Sequence, residues 1–387
     1  MRRARVIMAA AGACGVIVAV TGAASPGTWT FQTPPIPGTS SSVLNGVSCR
    51  GTSFCMAVGS YKVNANPNTG QTNKSVPLAD KWNGTTWTSV PVPAPQPKTN
   101  SSSLMGVSCT SATFCMAVGT GPTSGLSEEW NGSKWSIITT PGGANLGQAV
   151  SCTSASACTA VGSAVARWNG TTWSTQPNPL TDTPGPGGSG LDAVSCSGAK
   201  SCTAMGGGNG VNAFGEQAEQ WNGTQWSLLP DAPVPADTQE TELLGLSCTG
   251  AGACTATGIN FTADPSSPSG NGSLALAERW NGSQWTIQQT AALPGAHNAE
   301  LASVSCMTKP TTTCTAVGYS DLGNPADGAM AETWDGTSWS VDNPIPMPAK
   351  SRSSQLFGVS CSAPGTCTAV GRWNGAQGGQ HAYAVHK

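Results

Sequence analysis

Charge is scarce in this chain. Only 9% of its 387 residues are Asp, Glu, Lys or Arg, against roughly 25% in an average soluble domain. The net charge is −2 and no basic stripe runs anywhere, which argues against nucleic acid as a partner, because phosphates call for clustered Lys and Arg. Helix-period amphipathic runs are missing, so the chain reads as all-β. There is no His-Glu-x-x-His, no nucleophile elbow and no phosphate loop, and the Gly206–Gly210 stretch has no helix after it. Nothing in the sequence asks for a metal or a cofactor.

Apolar runs long enough to matter are also missing, with one exception. Arg2, Arg3 and Arg5 precede an apolar run from Val6 to Val20, and small residues follow as far as Ala24. Residues 1–24 therefore read as an export signal, leaving 25–387 as one domain that is secreted and has no membrane span after cleavage. A lipid-modified Cys14 is disfavoured because the apolar run continues past it through Val16, Ile17 and Val18. At about 15 residues the run is also short for an anchor. The twin-arginine alternative fits the residues after Arg3 poorly.

What the chain has instead is a repeat. LNGVSCRGTSFCMAVG, with Cys49 and Cys55, recurs six more times, which makes seven copies. The second half of the unit, KWNGTTWTSVPVP with Trp82 and Trp87, has six complete copies. The seventh is split: residues 28–35 match only its back end, and residues 381–387 sit where the strand before its turn belongs. The two halves complement each other, so the expected fold is a seven-bladed β-propeller of four-stranded blades, closed by pairing the N-terminal strand with the C-terminal strands. In each blade, strand A ends at Val-Ser-Cys, strand B is Cys-x-Ala-Val-Gly, strand C carries the first Trp and strand D starts at the second.

Fourteen of the fifteen cysteines pair within a repeat, and the odd one, Cys14, lies in the export segment. The expected bridges are Cys49–Cys55, Cys109–Cys115, Cys152–Cys158, Cys196–Cys202, Cys248–Cys254, Cys306–Cys314 and Cys361–Cys367, each closing an A–B hairpin tip. Zinc is the rival reading, but the five-residue spacing is wide for a zinc knuckle. Each small loop would contribute ~2–2.5 kcal/mol in the loop-entropy picture.

Between the tryptophans stands Asn-Gly, a strong hairpin signal that predicts a two-residue type I′ turn. That turn would set Trp82 across from Thr85 and Trp87 across from Asp80, with both indoles on one face. The recurring Trp pairs read as packing between blades, with a carbohydrate platform as the alternative. The Asn-Gly-Ser/Thr triplets are formal glycosylation sequons, but the turn explains them, and Asp335 replaces Asn in the sixth copy. An acid stands two residues before the first Trp at Asp80, Glu128, Glu219, Glu278 and Glu332. It reads as a structural acceptor for an indole or backbone N–H, the alternative being a cation-binding ring.

The Asn/Asp-Gly-x-x-Trp and trailing Pro pattern resembles the second half of a kelch repeat. It is also similar to the Asp-box of sialidase-type propellers, one residue shorter. The whole unit resembles secreted repeat proteins of actinobacteria. The resemblance implies a propeller and leaves activity open. A sialidase would need an arginine cluster, whereas beyond the export segment there are five arginines: Arg50, Arg167, Arg279, Arg352 and Arg372. A copper oxidase of this fold would need a free cysteine.

Propeller geometry puts the short A–B and C–D turns on one face and the variable B–C and D–A loops on the other, the expected place for a binding surface. Tyr61, Phe261, Tyr319 and Trp373 follow strand B and escape the repeat, and Asp321 and Asp327 share the loop after Tyr319. These six are the candidate ligand contacts, for a glycan or an extracellular protein. His297 reads as a solvated loop residue. The expectation is a monomeric, non-catalytic binding module. The alternatives are a glycan-processing enzyme with two carboxylates across the top face, and a structural protein of the cell envelope.

Overall fold

The computed structural model describes residues 27–35, 41–64, 73–97, 100–180, 190–207, 216–264, 266–267, 270–291, 293–308, 311–321, 327–342, 344–376 and 378–387. Residues 1–24, which the sequence pattern suggests as an export signal, lie outside them. Seven antiparallel four-stranded sheets follow one another in chain order, and a single 3-10 turn at Pro141–Gly143 is the only helix among the described residues. None of these residues forms a helix long and apolar enough to cross a membrane.

The seven A strands are Ser42–Cys49, Ser103–Ser111, Ala149–Ser154, Ala193–Gly198, Thr238–Gly250, Ala299–Met307 and Ser351–Ala363. Each packs against the next, and the last against the first, so they form a closed inner ring. The chain is an all-β seven-bladed propeller. Blade 7 is built from Ser351–Ala363, Thr366–Gly375, Gln380–His386 and, as its outer strand, Thr30–Gln32. The closing register sets Thr30 opposite His386 and Gln32 opposite Ala384. A clasp supports this seam. The Trp29 indole donates to Asp342 of blade 6 at 3.2 Å, Lys387 contacts the same carboxylate, and its ammonium lies 4.9 Å from the Trp29 ring centre.

Two repeat-locked residues hold the inner ring. The serine of Val-Ser-Cys accepts a hydrogen bond from the cysteine N–H of the next blade in every blade. Ser48 serves Cys109, Ser108 serves Cys152, and so on round to Ser360, which serves Cys49, all at 2.8–3.0 Å. The glycine of Ala-Val-Gly sits against an A-strand carbonyl. A Cβ at Gly59, Gly258, Gly318 or Gly371 would lie only 1.9–2.0 Å from the carbonyl oxygen of Val43, Glu242, Glu300 or Gln355. No side chain fits there, so the close approach of the two strands selects glycine.

All seven disulfides form as expected, each joining directly paired strand residues whose Cα atoms are 3.9–4.0 Å apart. The indoles of each pair share a face, with centroids 5.5–5.9 Å apart. They pack on the neighbouring blade: Trp130 and Trp135 share a core cluster with Met56, Val58 and Ala79 of blade 1. The expected turn is corrected. Trp82 pairs directly with Trp87, so Asn83–Thr86 forms a four-residue loop rather than a two-residue one. Gly84 has φ +100°, whereas Asn83 does not enter the left-handed region. Asn83 acts through its side chain: Oδ1 accepts the N–H groups of Thr85 and Thr86 at 2.9 Å. Asp335 makes the same contacts to Thr337 and Ser338, which is why the sixth copy does without the amide.

Replacing Ser108 by Ala leaves the Cys152 N–H unpaired in the ring and is expected to cost ~1–2 kcal/mol, lowering Tm by ~1–3 °C. An unchanged melting curve would show that the serine ring adds no net stability. Gly318→Ala is expected to abolish recovery of natively folded protein, measured by near-UV circular dichroism after refolding.

Candidate functional site

The inner ring encloses a central channel of about 240 Å³. Its wall is made by the same three positions of every A strand, as in Asn45, Gly46 and Val47 of blade 1. Glycine, alanine or serine fills the middle position, so the blades approach closely there. In five blades a β-bulge falls at the first position: Asn45, Met105, Leu244, Ala302 and Phe357 are each skipped in the A–B register. The extra residue turns toward the channel instead of pairing.

Charge gathers where the A strands enter the channel from the variable face. Asp192 of blade 4, Glu242 of blade 5 and Glu300 of blade 6 stand in consecutive blades, and Arg372 of blade 7 continues the arc. Gln148 donates to Asp192 at 3.2 Å. Arg372 is held by Gln355, its cross-strand partner, through bonds of 3.1 and 2.8 Å, and lies 5.4 Å from the Phe357 ring centre. The groups feel one another. Burial raises the Glu242 carboxyl above its ordinary range, and Asp192 and Glu240 raise it further. Burial raises Glu300, Glu242 adds to this, and Arg372 opposes it. Burial raises Asp192 against the opposing hydrogen bond from Gln148. Each of these carboxyls is thus a weaker acid than its free counterpart.

Tyr319 belongs here, because it pairs directly with Glu300 and so shares its face of the sheet. Phe261 shares the acid-bearing face one blade earlier, opposite Glu240, and the remaining sequence-predicted residues do not converge on the mouth. Tyr61, Phe261, Tyr319 and Trp373 lie within extended B strands, Cys55–Val63, Ala253–Ala263, Thr313–Asp321 and Thr366–Gly375, rather than in loops after them. Alternation along those strands separates them. Tyr61 packs on the core between blades 7 and 1, and Trp373 packs on the core of blade 7 with its ring centre 4.3 Å from that of His381. Phe261 pairs with Glu240 on the face that carries Glu242 two residues on. Asp321 is a structural clamp: Oδ1 accepts the N–H of His297 at 2.8 Å and of Asn298 at 2.6 Å. Asp327 pairs with Asp321 in the backbone register. His297 is half-buried and bonded to Asp264 at 2.9 Å, not free in solvent.

Asp192, Glu242 and Glu300 were missed in the sequence because two of them precede, and one follows, the repeat-locked leucine at the head of strand A. The available signal was a charge at a position that other copies fill with Val43, Ser103 or Gln355.

The repeated acids before the first Trp sit elsewhere, buried one to a blade on the face that carries the indoles. Asp80, Glu128, Glu219, Glu278 and Glu332 are at most 2% exposed. Glu332 accepts the Ala291 N–H at 3.0 Å, and Glu219 accepts from Asn178, both donors lying in the segment arriving from the preceding blade. Glu219 and Glu332 thus act as acceptors, whereas both carboxyl oxygens of Glu128 have no partner among the described residues. Burial raises Glu128 and Glu278 to about 8 and Asp80 and Glu332 to about 7.

No protein-family model matches this chain, and no curated protein does. Solved structures do, as propellers. An ulvan lyase bound to -[GlcA(1-4)Rha3S]- aligns with a TM-score of 0.51 at 11% identity, over 89% of this chain and 96% of that one. A xyloglucanase from Xanthomonas campestris aligns at 0.41 and 9% identity, over 89% of this chain and only 59% of its own length. Sqt1 from Chaetomium thermophilum, bound to the N-terminus of a ribosomal protein, aligns at 0.48 and 11% identity, over 88% of this chain and 96% of that one. At such identities the likeness shows the fold alone.

The buried acids give a pH dependence of known sign. Glu128 keeps its proton in the fold up to about pH 8 but loses it near 4.5 when unfolded. Stability is therefore greatest below the ordinary carboxylate range and falls as pH rises toward 8. Glu128→Gln is expected to raise Tm at pH 8 by ~3–6 °C and leave it nearly unchanged at pH 4. Equal shifts at both pH values would show that the carboxyl does not titrate between those limits.

Proposed function

We propose that this chain is a secreted, non-catalytic binding propeller whose ligand sits over the channel mouth on the variable face. The seven disulfides suit an oxidising compartment, and the export signal read in residues 1–24 supports the same location. The repeat is kelch- or Asp-box-like on its sequence pattern, and the working unit is a monomer.

The observation that carries this reading is the arc of Asp192, Glu242, Glu300 and Arg372 beside Gln148 and Tyr319. Acceptors, planar donors and an aromatic ring grouped on a rigid rim are what hydroxyl-rich ligands are recognised by. The ligand class we favour is a glycan that is neutral or carries amino groups. Three acids against one arginine disfavour a uronate- or sulfate-bearing chain of the kind named for the ulvan lyase. The raised carboxyls of Glu242 and Glu300 support a second reading, hydrolysis of such a glycan with one of them as general acid.

One experiment separates the two. The protein from residue 25 onward is incubated with neutral, amino-sugar and anionic polysaccharides, and both retention and released sugar are scored. Retention of the first two classes is expected, without release, weakened ~5–10-fold by Glu300→Gln or Arg372→Ala and unaffected by Tyr61→Ala. Released sugar, lost in Glu300→Gln, would establish the enzyme instead. Preference for anionic chains, or mouth variants without effect, would refute the site. Self-association with no retention would favour the envelope role.

A further inference from the structure

A second cavity lies away from the channel, at the outer edge of blade 5. The outer strand Trp285–Gln288 pairs with the third strand only up to Ala277. Beyond that point the edge of Asn271–Leu276 faces the segment leading to blade 6. That segment is pinned at both ends. Thr290 Oγ1 donates to the Ala275 carbonyl at 3.2 Å, and the Ser273 N–H donates to the His297 carbonyl at 3.0 Å. Further along, His297 and Asn298 are fixed by Asp264 and Asp321. The space between has a volume of about 430 Å³ and is mostly apolar. Its rim is formed by Leu274 and Ile287, which are 54% and 42% exposed.

One wall group does not match its surroundings. Asn260 pairs directly with Leu274, so the two side chains share a face of the sheet. It lines the cavity and is only 4% exposed, yet its Oδ1 has no hydrogen-bond partner among the described residues. A buried acceptor in that state is costly. Pairing it with a donor from a bound molecule removes the penalty. Among the described residues no charged side chain lines the space, so an ion gains nothing from them. The walls are pinned, so the cavity stands open, and a turn of the Asn260 amide about its last side-chain bond brings Oδ1 to a molecule seated there.

We propose that this pocket binds a small, neutral, apolar molecule carrying one N–H or O–H donor, with the ring or chain between Leu274 and Ile287 and the donor on Asn260 Oδ1. The site is independent of the channel mouth and does not rest on the glycan reading.

A matched pair of probes tests it: indole, and 1-methylindole, which keeps the ring but lacks the donor. Titration calorimetry on the native protein should show indole binding ~5–10-fold more tightly, as one hydrogen bond to a buried acceptor implies. Asn260→Ala should bring the two affinities together. Leu274→Trp should fill the pocket and abolish both, with Tm unchanged because Leu274 is exposed, which guards against a misfolded Asn260 variant. Absence of binding by either probe overturns the proposal. So does equal affinity in the native protein, or a preference for indole that survives Asn260→Ala.

Discussion

The close approach of the seven innermost strands is the constraint on which the rest of the molecule depends. A propeller ring closes only if every neighbouring pair of inner strands meets at nearly the same distance. Here that distance is set twice. The glycine ending Ala-Val-Gly lets strand B touch the bulged strand A within the blade, and the serine before the first cysteine receives the next blade's N–H across the gap. A larger residue at the first position would push the inner strand off its own sheet. A missing hydroxyl at the second would leave a buried amide unpaired between blades. The bulge that the glycine accommodates also turns a side chain toward the channel, so the geometry that closes the ring builds the wall of the site.

The interfaces farther from the axis are held differently, by large aromatic surfaces with isolated polar groups among them. The third blade shows how these parts answer one another. It lacks the acid, having Ala166 in its place, and there the outer indole of Trp173 donates to Ser127 of the preceding blade at 3.0 Å. In the blades that carry Glu128, Glu278 and Glu332, the corresponding indole N–H groups of Trp135, Trp285 and Trp339 find no partner among the described protein atoms, and at least one oxygen of each of these carboxyls is in the same position. The acid and the indole N–H lie on one face of one sheet. Together they make a small polar island in an apolar contact.

Much of this fold was legible because a repeat multiplies its own signal. Seven copies of Val-Ser-Cys gave the blade count, the complementary end fragments gave the closure, and cysteine parity gave the bridges. Local geometry was read less well. Asn-Gly suggested a two-residue turn, but the amide side chain stabilises a four-residue loop and moves Trp82 opposite Trp87. The site was the least legible part, for a related reason. Tyr61, Phe261, Tyr319 and Trp373 all follow the repeated core of strand B, yet alternation along an extended strand sends neighbours to opposite faces. Tyr319 pairs with Glu300 and Phe261 with Glu240, while Tyr61 and Trp373 pack on the core. Glu242 and Glu300 acquire their meaning from a bulge and from the blade next door, neither of which leaves a mark in the local sequence.

The bridges have a consequence for how such a protein can change over time. Each one begins and ends inside a single hairpin, and among the described residues no disulfide crosses from one blade to the next. A duplicated or deleted blade therefore carries its own complete pair of cysteines and leaves no thiol stranded. Descendants with more or fewer blades inherit a full set of cross-links at once, and need only a ring of a different circumference to accept them.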